Sequence, residues 1–343
     1  MMLREIQNRY TPDILSEALR RFGFDPDPIQ ELEGSAFVYE GLVDRLPRIL
    51  KIIPGVWNTP EQITGSTREQ ILAEVDFVLY LAQNDLPVAR PVPSRQGEWV
   101  EVLPIDDQAC FLAYCFEKAP GILYPDDAEV VFPEPVLVEW GRLSGRLHRL
   151  SEVYQPHPAR RRLAWDAIDL LDFGTLVPLE QSLVHQRYAE TLARLRALPQ
   201  DPVSYGLVHG DFHHGNFLVE GDKLTLFDFD AASYFWYAGE MCVALDNCLP
   251  MPRSQVAKRR AYALHYLRHF LRGYRQERPM DDFWLAQISL FLKYGELTTY
   301  GYYHKYWNLS NLSERRKAIL AEIRARIEQE IPVVAFEPGD LCL

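Results

Sequence analysis

In this 343-residue chain LVHGDFHHGN (207–216) runs straight into FLVE (217–220), the pair Gly221–Asp222 and KLTLFDF (223–229). Two alternating segments around a Gly-Asp pair spell a β-hairpin with a two-residue turn. The loop before it carries Asp211 and Asn216, and Asp228 stands at the hairpin's far end. A carboxylate that can orient an acceptor hydroxyl, beside oxygen donors suited to a hard divalent cation, is the equipment of phosphoryl transfer. With a two-residue turn Asn216 pairs opposite Phe227, which leaves Asp228 one step away at the same end of the ribbon. In that register a strict pleat puts Asn216 and Asp228 on opposite faces, whereas a three-residue loop with a bulge puts them on one. Both registers remain open, as does a departure of the strand ends from regular pleat.

Upstream, the chain reads as strand-rich with one strong helix. PDILSEALRRF (12–22) has helical spacing, ELEGSAFVYEGLV (31–43) alternates around a Gly34–Ser35 break, and RILKIIP (48–54) is a further strand. STREQILAEVDFVLYLAQ (66–83) opens on a Ser or Thr cap and is the clearest helix. VPSRQGEWVEVL (92–103) reads as a hairpin about Gln96 and Gly97, and CFLAYCFE (110–117) as a buried strand. Beyond Pro120 and Gly121 the pattern turns helical, with helices expected at 135–154, 186–198, 258–274, 282–303 and 313–330. Only the strand pair at 217–229 is expected to interrupt them. The composition shift near 118–121 marks a boundary between two lobes, 1–117 and 118–343.

The composition is that of an ordinary globular protein, with 48% hydrophobic and 24% charged residues. A formal net charge of -12 repels phosphate backbones and anionic lipid, which argues against nucleic acid and membrane partners and suits a neutral or cationic acceptor. MMLREIQNRY (1–10) lacks a signal-peptide core and no apolar stretch reaches spanning length, so a cytoplasmic location is expected. Five cysteines without a CxxC pair read as reduced. No Walker A sequence is present, which excludes the P-loop route to ATP.

Asp211 and Asn216 share the D-x-x-x-x-N spacing of the protein-kinase catalytic loop, with His209 two residues ahead as in H-R-D. HGDFHHGN together with LFDFD (226–230) resembles the HGDxHxxN loop and metal segment of the aminoglycoside phosphotransferase and choline kinase family. RILKIIP, AEVDFVLYLAQNDLPVARPVPS (73–94) and WGRLSGRLHRLS (140–151) extend the resemblance over most of the chain. The resemblance implies an α+β, two-lobed protein-kinase-like fold: an antiparallel-sheet N-lobe with one main helix, and a mostly helical C-lobe. It also implies Lys51 on the nucleotide phosphates, Glu74 paired with Lys51, Asp211 as catalytic base, and Asn216 and Asp228 on Mg²⁺. Gly34 and Ser35 fall in the phosphate-covering loop, and the backbone from Glu117 to Ala119 falls where the adenine edge binds. His214 replaces a common Pro, and Glu240 stands where an Asp often follows the metal segment. The expected activity is transfer of the ATP γ-phosphoryl group to a hydroxyl of an amino alcohol, homoserine-like compound, sugar or aminoglycoside-like molecule, with Ser/Thr protein kinase activity an alternative.

Two further readings compete locally. His209, Asp211, His213 and His214 could ligate a transition metal in a hydrolase, although that leaves Asn216, Lys51 and FDFD (227–230) unexplained. Tyr234, Trp236, Tyr237, Tyr300, Tyr302, Tyr303, Tyr306 and Trp307, with Glu240, Asp246 and Glu296, could cage an amine through cation–π contact or simply build a core. His148 and His209 are expected to be structural, as histidines beside a loop or helix end that commonly lock backbone by hydrogen bonding.

Overall fold

The computed structural model describes residues 6–26, 28–32, 37–56, 67–124, 132–250, 253–337 and 339–342. Helix α1 (Pro12–Phe22) starts on a proline, whose missing N–H costs nothing in a first turn, and stops at Gly23 in the left-handed conformation. Strands β1 (Gln30–Leu32), β2 (Phe37–Val43) and β3 (Leu46–Val56) follow. Helix α2 (Arg68–Gln83) is capped reciprocally by Thr67 and Gln70. Then come β4 (Pro91–Val92), β5 (Glu101–Pro104) and β6 (Ala109–Glu117). These strands form one antiparallel sheet in the order β1-β2-β3-β6-β4, with β5 also on β6. The hairpin expected at 92–103 is therefore absent: Val92 pairs with Cys115 and Glu101 with Ala113, so β4 and β5 lie end to end along one edge of β6. The turn at Gln96–Gly97 exists, closed by Ser94 and Glu98, but nine-residue β6 offers a longer edge than the two short arms offer each other.

Side chains alternate across this sheet. Leu50, Ile52, Phe111, Ala113 and Cys115 pack with Ala18 and Phe22 of α1, while Ile53, Leu112 and Tyr114 pack with Ile71, Leu72 and Val75 of α2. Lys51 has the parity of Ile53 and so lies on the α2 side.

The remainder comprises β7 (Ile122–Leu123), α3 (Glu134–Val153), α4 (Ser182–Arg196), β8 (Tyr205–Val208), β9 (Phe217–Glu220), β10 (Lys223–Leu226), β11 (Ser233–Trp236), α5 (Tyr237–Cys248), α6 (Val256–Tyr274), α7 (Ile288–Tyr306) and α8 (Glu314–Glu328). More than one strand pair interrupts these helices, since β7 joins β9, and β8 pairs with β11. These strands have two to four residues, too few to show a period. The helix expected at 282–303 is two, Asp282–Leu285 and α7, because Ala286 and Gln287 form a turn whose dihedrals stay near helical, with Gln287 N–H on the Trp284 carbonyl, which spacing cannot register. Helices α3 and α6 touch backbone to backbone: a Cβ on Gly141 would lie 1.9 Å from the Phe270 carbonyl, and one on Gly273 1.8 Å from that of Val138. This contact sets His148 of α3 against Tyr274 of α6. Among the described residues no helix is long and apolar enough to cross a membrane.

Candidate active site

The hairpin register is the two-residue one: Phe217 pairs with Leu226, and Phe227 donates to the Asn216 carbonyl at 3.0 Å. The opposed faces that a strict pleat would give Asn216 and Asp228 do not arise, since both residues leave the pleat, one of the readings open from sequence. Asn216 ends a short 3₁₀ turn begun at His214, and Asp228 takes φ 63°, ψ 66°, so the strand expected through 229 stops at Leu226. The Asn216 side-chain N–H donates to the Asp211 carbonyl at 2.8 Å and to Asp211 Oδ2 at 3.1 Å. His213 Nδ1 accepts from Gly215 at 3.0 Å, which leaves its Nε2–H to face Asp211 Oδ2 at 3.3 Å. Asp211 thus has one carboxylate oxygen fixed from two sides, while its side chain is 43% exposed.

The Asp211 loop and the Asp228–Ala232 segment are clasped together. His209, fully buried, is bonded through Nε2 to the Phe227 carbonyl at 3.0 Å, the structural role expected for it. Gly210 has φ +83°, and a Cβ there would lie 2.1 Å from the Ala231 carbonyl, so only glycine allows the approach. Below, Glu240 of α5 accepts from Gly210 N–H at 2.9 Å through Oε1 and meets His148 Nε2 at 2.5 Å through Oε2. His148 Nδ1 faces the Tyr274 hydroxyl at 3.0 Å. Burial pushes the His148 imidazole down; it also opposes the Glu240 charge, but the His148 bond wins and holds the Glu240 carboxyl below its ordinary value. Neutral His148 therefore donates from Nε2 to Glu240 and accepts from Tyr274. The longer Glu240, in the place of the more usual Asp, supports the loop from the helical core.

Lys51 reaches Asp228 at 2.6 Å and Asp230 at 2.9 Å. The expected pairing with Glu74 is not made: Glu74, buried on α2, faces Arg162 at 3.7 Å instead. Two carboxylates, those of Asp228 and Asp230, outcompete one on the helix for a single ammonium. Burial works against the Lys51 charge, but Tyr114, Asp230, Asp228 and Glu74 around it hold its ammonium above the ordinary lysine range. Burial pushes the Glu74 carboxyl up to about 7, with Arg162 and Lys51 opposing. Burial also prevails at Asp228, which is held up, whereas Lys51 and Arg162 hold Asp230 down. Sequence reasoning assigned no role to Asp230 and passed over Arg162, whose only signal is the basic run ARRR (159–162).

Of the backbone expected to meet adenine, Glu117 N–H is taken by the Arg90 carbonyl at 2.8 Å and Lys118 N–H by that of Pro47 at 3.3 Å. Ala119 N–H has no partner among the described residues. Gly34 and Ser35 lie outside the described residues. The four-residue cluster of the hydrolase reading is dispersed: His209 turns to backbone, His213 to Gly215 and Asp211, and His214 to Cys248 at 3.5 Å. Among the described residues no group of three His, Cys, Asp or Glu side chains is placed to hold a metal. Trp236, Tyr237 and Tyr300 are core residues, Glu240 serves His148, and Glu296 pairs with Arg326 at 2.7 Å. Those members of the amine cage are thereby removed, while Tyr302 and Tyr306 remain exposed.

A lysine-bearing antiparallel sheet set over an aspartate loop and its hairpin defines a phosphotransferase of the protein-kinase-like class. Residues 41–280 match the family model described as APH, phosphotransferase enzyme family, and the chain belongs to that family. It is 34% identical over 326 residues to amicoumacin kinase of Bacillus subtilis (strain 168), a match covering 94% of either chain. A solved amicoumacin kinase in complex with AMP-PNP, Ca²⁺ and Ami has a TM-score of 0.88, 32% identity and 98% coverage of both chains. A microcompartment-associated aminopropanol kinase shares the fold, with a TM-score of 0.69 at 19% identity over 93% of this chain and 95% of its own. The chain is a kinase that moves phosphate from a nucleotide to a hydroxyl of a small molecule.

Proposed function

We propose that the donor is ATP carried with Mg²⁺ and that the acceptor is an amine-bearing hydroxyl compound of the amicoumacin type. The observation that carries this reading is the state of Asp211, 43% exposed, with Oδ2 held by Asn216 and His213 and the other oxygen without a hydrogen-bond partner among the described residues. That oxygen is suited to orient the acceptor hydroxyl and to take its proton late in transfer. Asn216 and Asp228 fit a magnesium ion. The Asn216 amide N–H groups are spent on Asp211, so its carbonyl oxygen is the atom left for a cation, and Asp228 adds a hard carboxylate. When bound, the ion supplies neutralising charge on the donor phosphates. In this reading Lys51, now on Asp228 and Asp230, turns to the same phosphates, and Glu74 steadies that region from α2. Ala119 N–H is the donor we assign to the adenine edge, beside Glu117. Residues 1–117 then act as the nucleotide lobe and 118–343 as the catalytic lobe, in the cytoplasm where ATP is available.

An amine suits the net charge of -12, and it suits the relatives, whose names include amicoumacin kinase and aminopropanol kinase. The test is a panel of amicoumacin, aminopropanol, aminoglycosides, homoserine and amine-free sugars, each incubated with Mg-ATP and followed by product mass. Phosphorylation of amicoumacin or another amine-bearing member, with Mn²⁺ replacing Mg²⁺ and Zn²⁺ failing, is expected. Turnover of the amine-free sugars alone, or activity that depends on zinc, overturns the reading.

A further inference from the structure

Arg162 lies on the segment between α3 and α4, outside every motif quoted above, yet its guanidinium ends between two parts of the nucleotide site. Its Nε donates to the Ala232 carbonyl at 2.7 Å, its Nη1 to the Gln70 carbonyl of α2 at 3.1 Å, and its Nη2 to the Asp230 carbonyl. Nη1 also faces Glu74 at 3.7 Å, and the side chain is only 11% exposed. All three nitrogens of a rigid planar fork are thus engaged, two on the metal segment and one on the helix. The arginine is itself delivered by fixed backbone, since Tyr234 of β11 donates to the Leu163 carbonyl and accepts from Trp165 N–H, both at 2.9 Å. Two residues earlier Arg160 grips Asp76 of α2 with both carboxylate oxygens at 3.0 Å, while Arg161 between them points to solvent.

The segment so held is a strained one. Asp228 has φ 63°, a left-handed conformation that non-glycine residues keep only where their surroundings enforce it. From the sheet, Lys51 binds the carboxylates of Asp228 and Asp230, and Arg162 binds main-chain carbonyls of the same turn, those of Asp230 and Ala232. The lysine is due to be shared with nucleotide phosphates, whereas the Arg162 bonds go to backbone that no ligand displaces.

We propose that Arg162 is a positioning residue for the nucleotide: it ties the Asp228–Ala232 turn to α2, so that Asp228 keeps its left-handed backbone and the Glu74 helix keeps its distance. All three of its guanidinium nitrogens are spent on protein carbonyls, and the inference rests on the reading of Asp228 as the metal-binding carboxylate. A lysine at this position would keep the charge near Glu74 but lose the fork.

The test uses folded Arg162→Ala and Arg162→Lys, with Asp228→Ala as reference. Mg-AMP-PNP binding is measured by calorimetry, and hydrogen exchange over 227–233 and 68–76 is measured without nucleotide. Arg162→Ala is expected to weaken Mg-AMP-PNP binding tenfold or more and to speed exchange in both segments, and Arg162→Lys to recover less than a third of the affinity. If Arg162→Ala does not fold, Arg162→Lys carries the test with the same signature at smaller size. Affinity within twofold of wild type in a folded Arg162 variant, or faster exchange spread evenly over the chain, overturns the proposal and leaves a structural arginine. Wild-type protein that binds AMP-PNP equally well with and without Mg²⁺ overturns the reading of Asp228 and, with it, this inference.

Discussion

Asp211 and Lys51 are held by opposite means. The partners of Asp211 lie within five residues of it, in a loop whose ends are fixed by a hairpin and by the backbone of the metal segment. The partners of Lys51 lie 177 and 179 residues away and reach it only by side chains. A loop closed by a tight hairpin has few solutions and its side chains inherit them. A buried ammonium takes whichever carboxylates the fold brings nearest, and here those of Asp228 and Asp230 prevail over Glu74.

If Asp211 is held that firmly, nothing nearby can replace it. Asp211→Asn is expected to lower turnover on the order of 10²–10⁴-fold, the range of general-base assistance, while Mg-AMP-PNP affinity by calorimetry stays near wild type. Turnover at the wild-type rate breaks the assignment of the loop. Next in size, Gly210→Ala forces a Cβ against the Ala231 carbonyl at a positive φ, which is expected to cost about 1–3 kcal/mol in chemical unfolding and most of the activity. An active, fully stable Gly210→Ala shows that loop and metal segment do not meet backbone to backbone.

The lysine side of the comparison is sharpened by pH. The Glu74 carboxyl, raised to about 7 from 4.5, lies above its unfolded value. Its contribution is therefore complete below about pH 4.5 and is lost as pH rises toward 7, on the order of 1–3 kcal/mol. Glu74→Gln removes that titration, so its melting temperature is expected to gain on wild type between pH 5 and 8 in nucleotide-free protein. A constant difference across that range shows that Glu74 already has a full ionic partner. The smallest effect is Tyr274→Phe, which takes the hydroxyl from His148 Nδ1 and is expected to cost about 1 kcal/mol with turnover changed less than threefold. A tenfold loss of turnover there assigns the buried Tyr274–His148–Glu240 chain a part in the chemistry.

These sizes also mark what was legible beforehand. Thr67 capping, the helical spacing of α1, α2, α3, α6 and α8, and the Gly221–Asp222 turn are local signals, and each element lies within two or three residues of its expected place. The departure of Asn216 and Asp228 from the pleat was one of the readings left open, because strand ends carry no period. The edge shared by β4 and β5, the strands β8 and β11, and the partner of Glu74 depend on residues distant in sequence. No spacing within ARRR (159–162) says that Arg160 and Arg162 turn inward while Arg161 does not; the pairing of Tyr234 with the neighbouring backbone decides it.

Helix α2 divides its side chains between two cores: Ile71, Leu72 and Val75 join the sheet, whereas Phe77, Val78, Leu81 and Ala82 join the large core around Trp140 and Phe229. The helix is thus a common wall, and the chain has no clean place to be cut. A fragment ending at residue 117 would carry Phe77, Val78, Leu81, Leu86 and Val88 with nothing to cover them, and its complement would lack one side of its own interior. The two halves are therefore modular in architecture but not in inheritance: neither can be exchanged for a foreign counterpart unless the α2 surface travels with it.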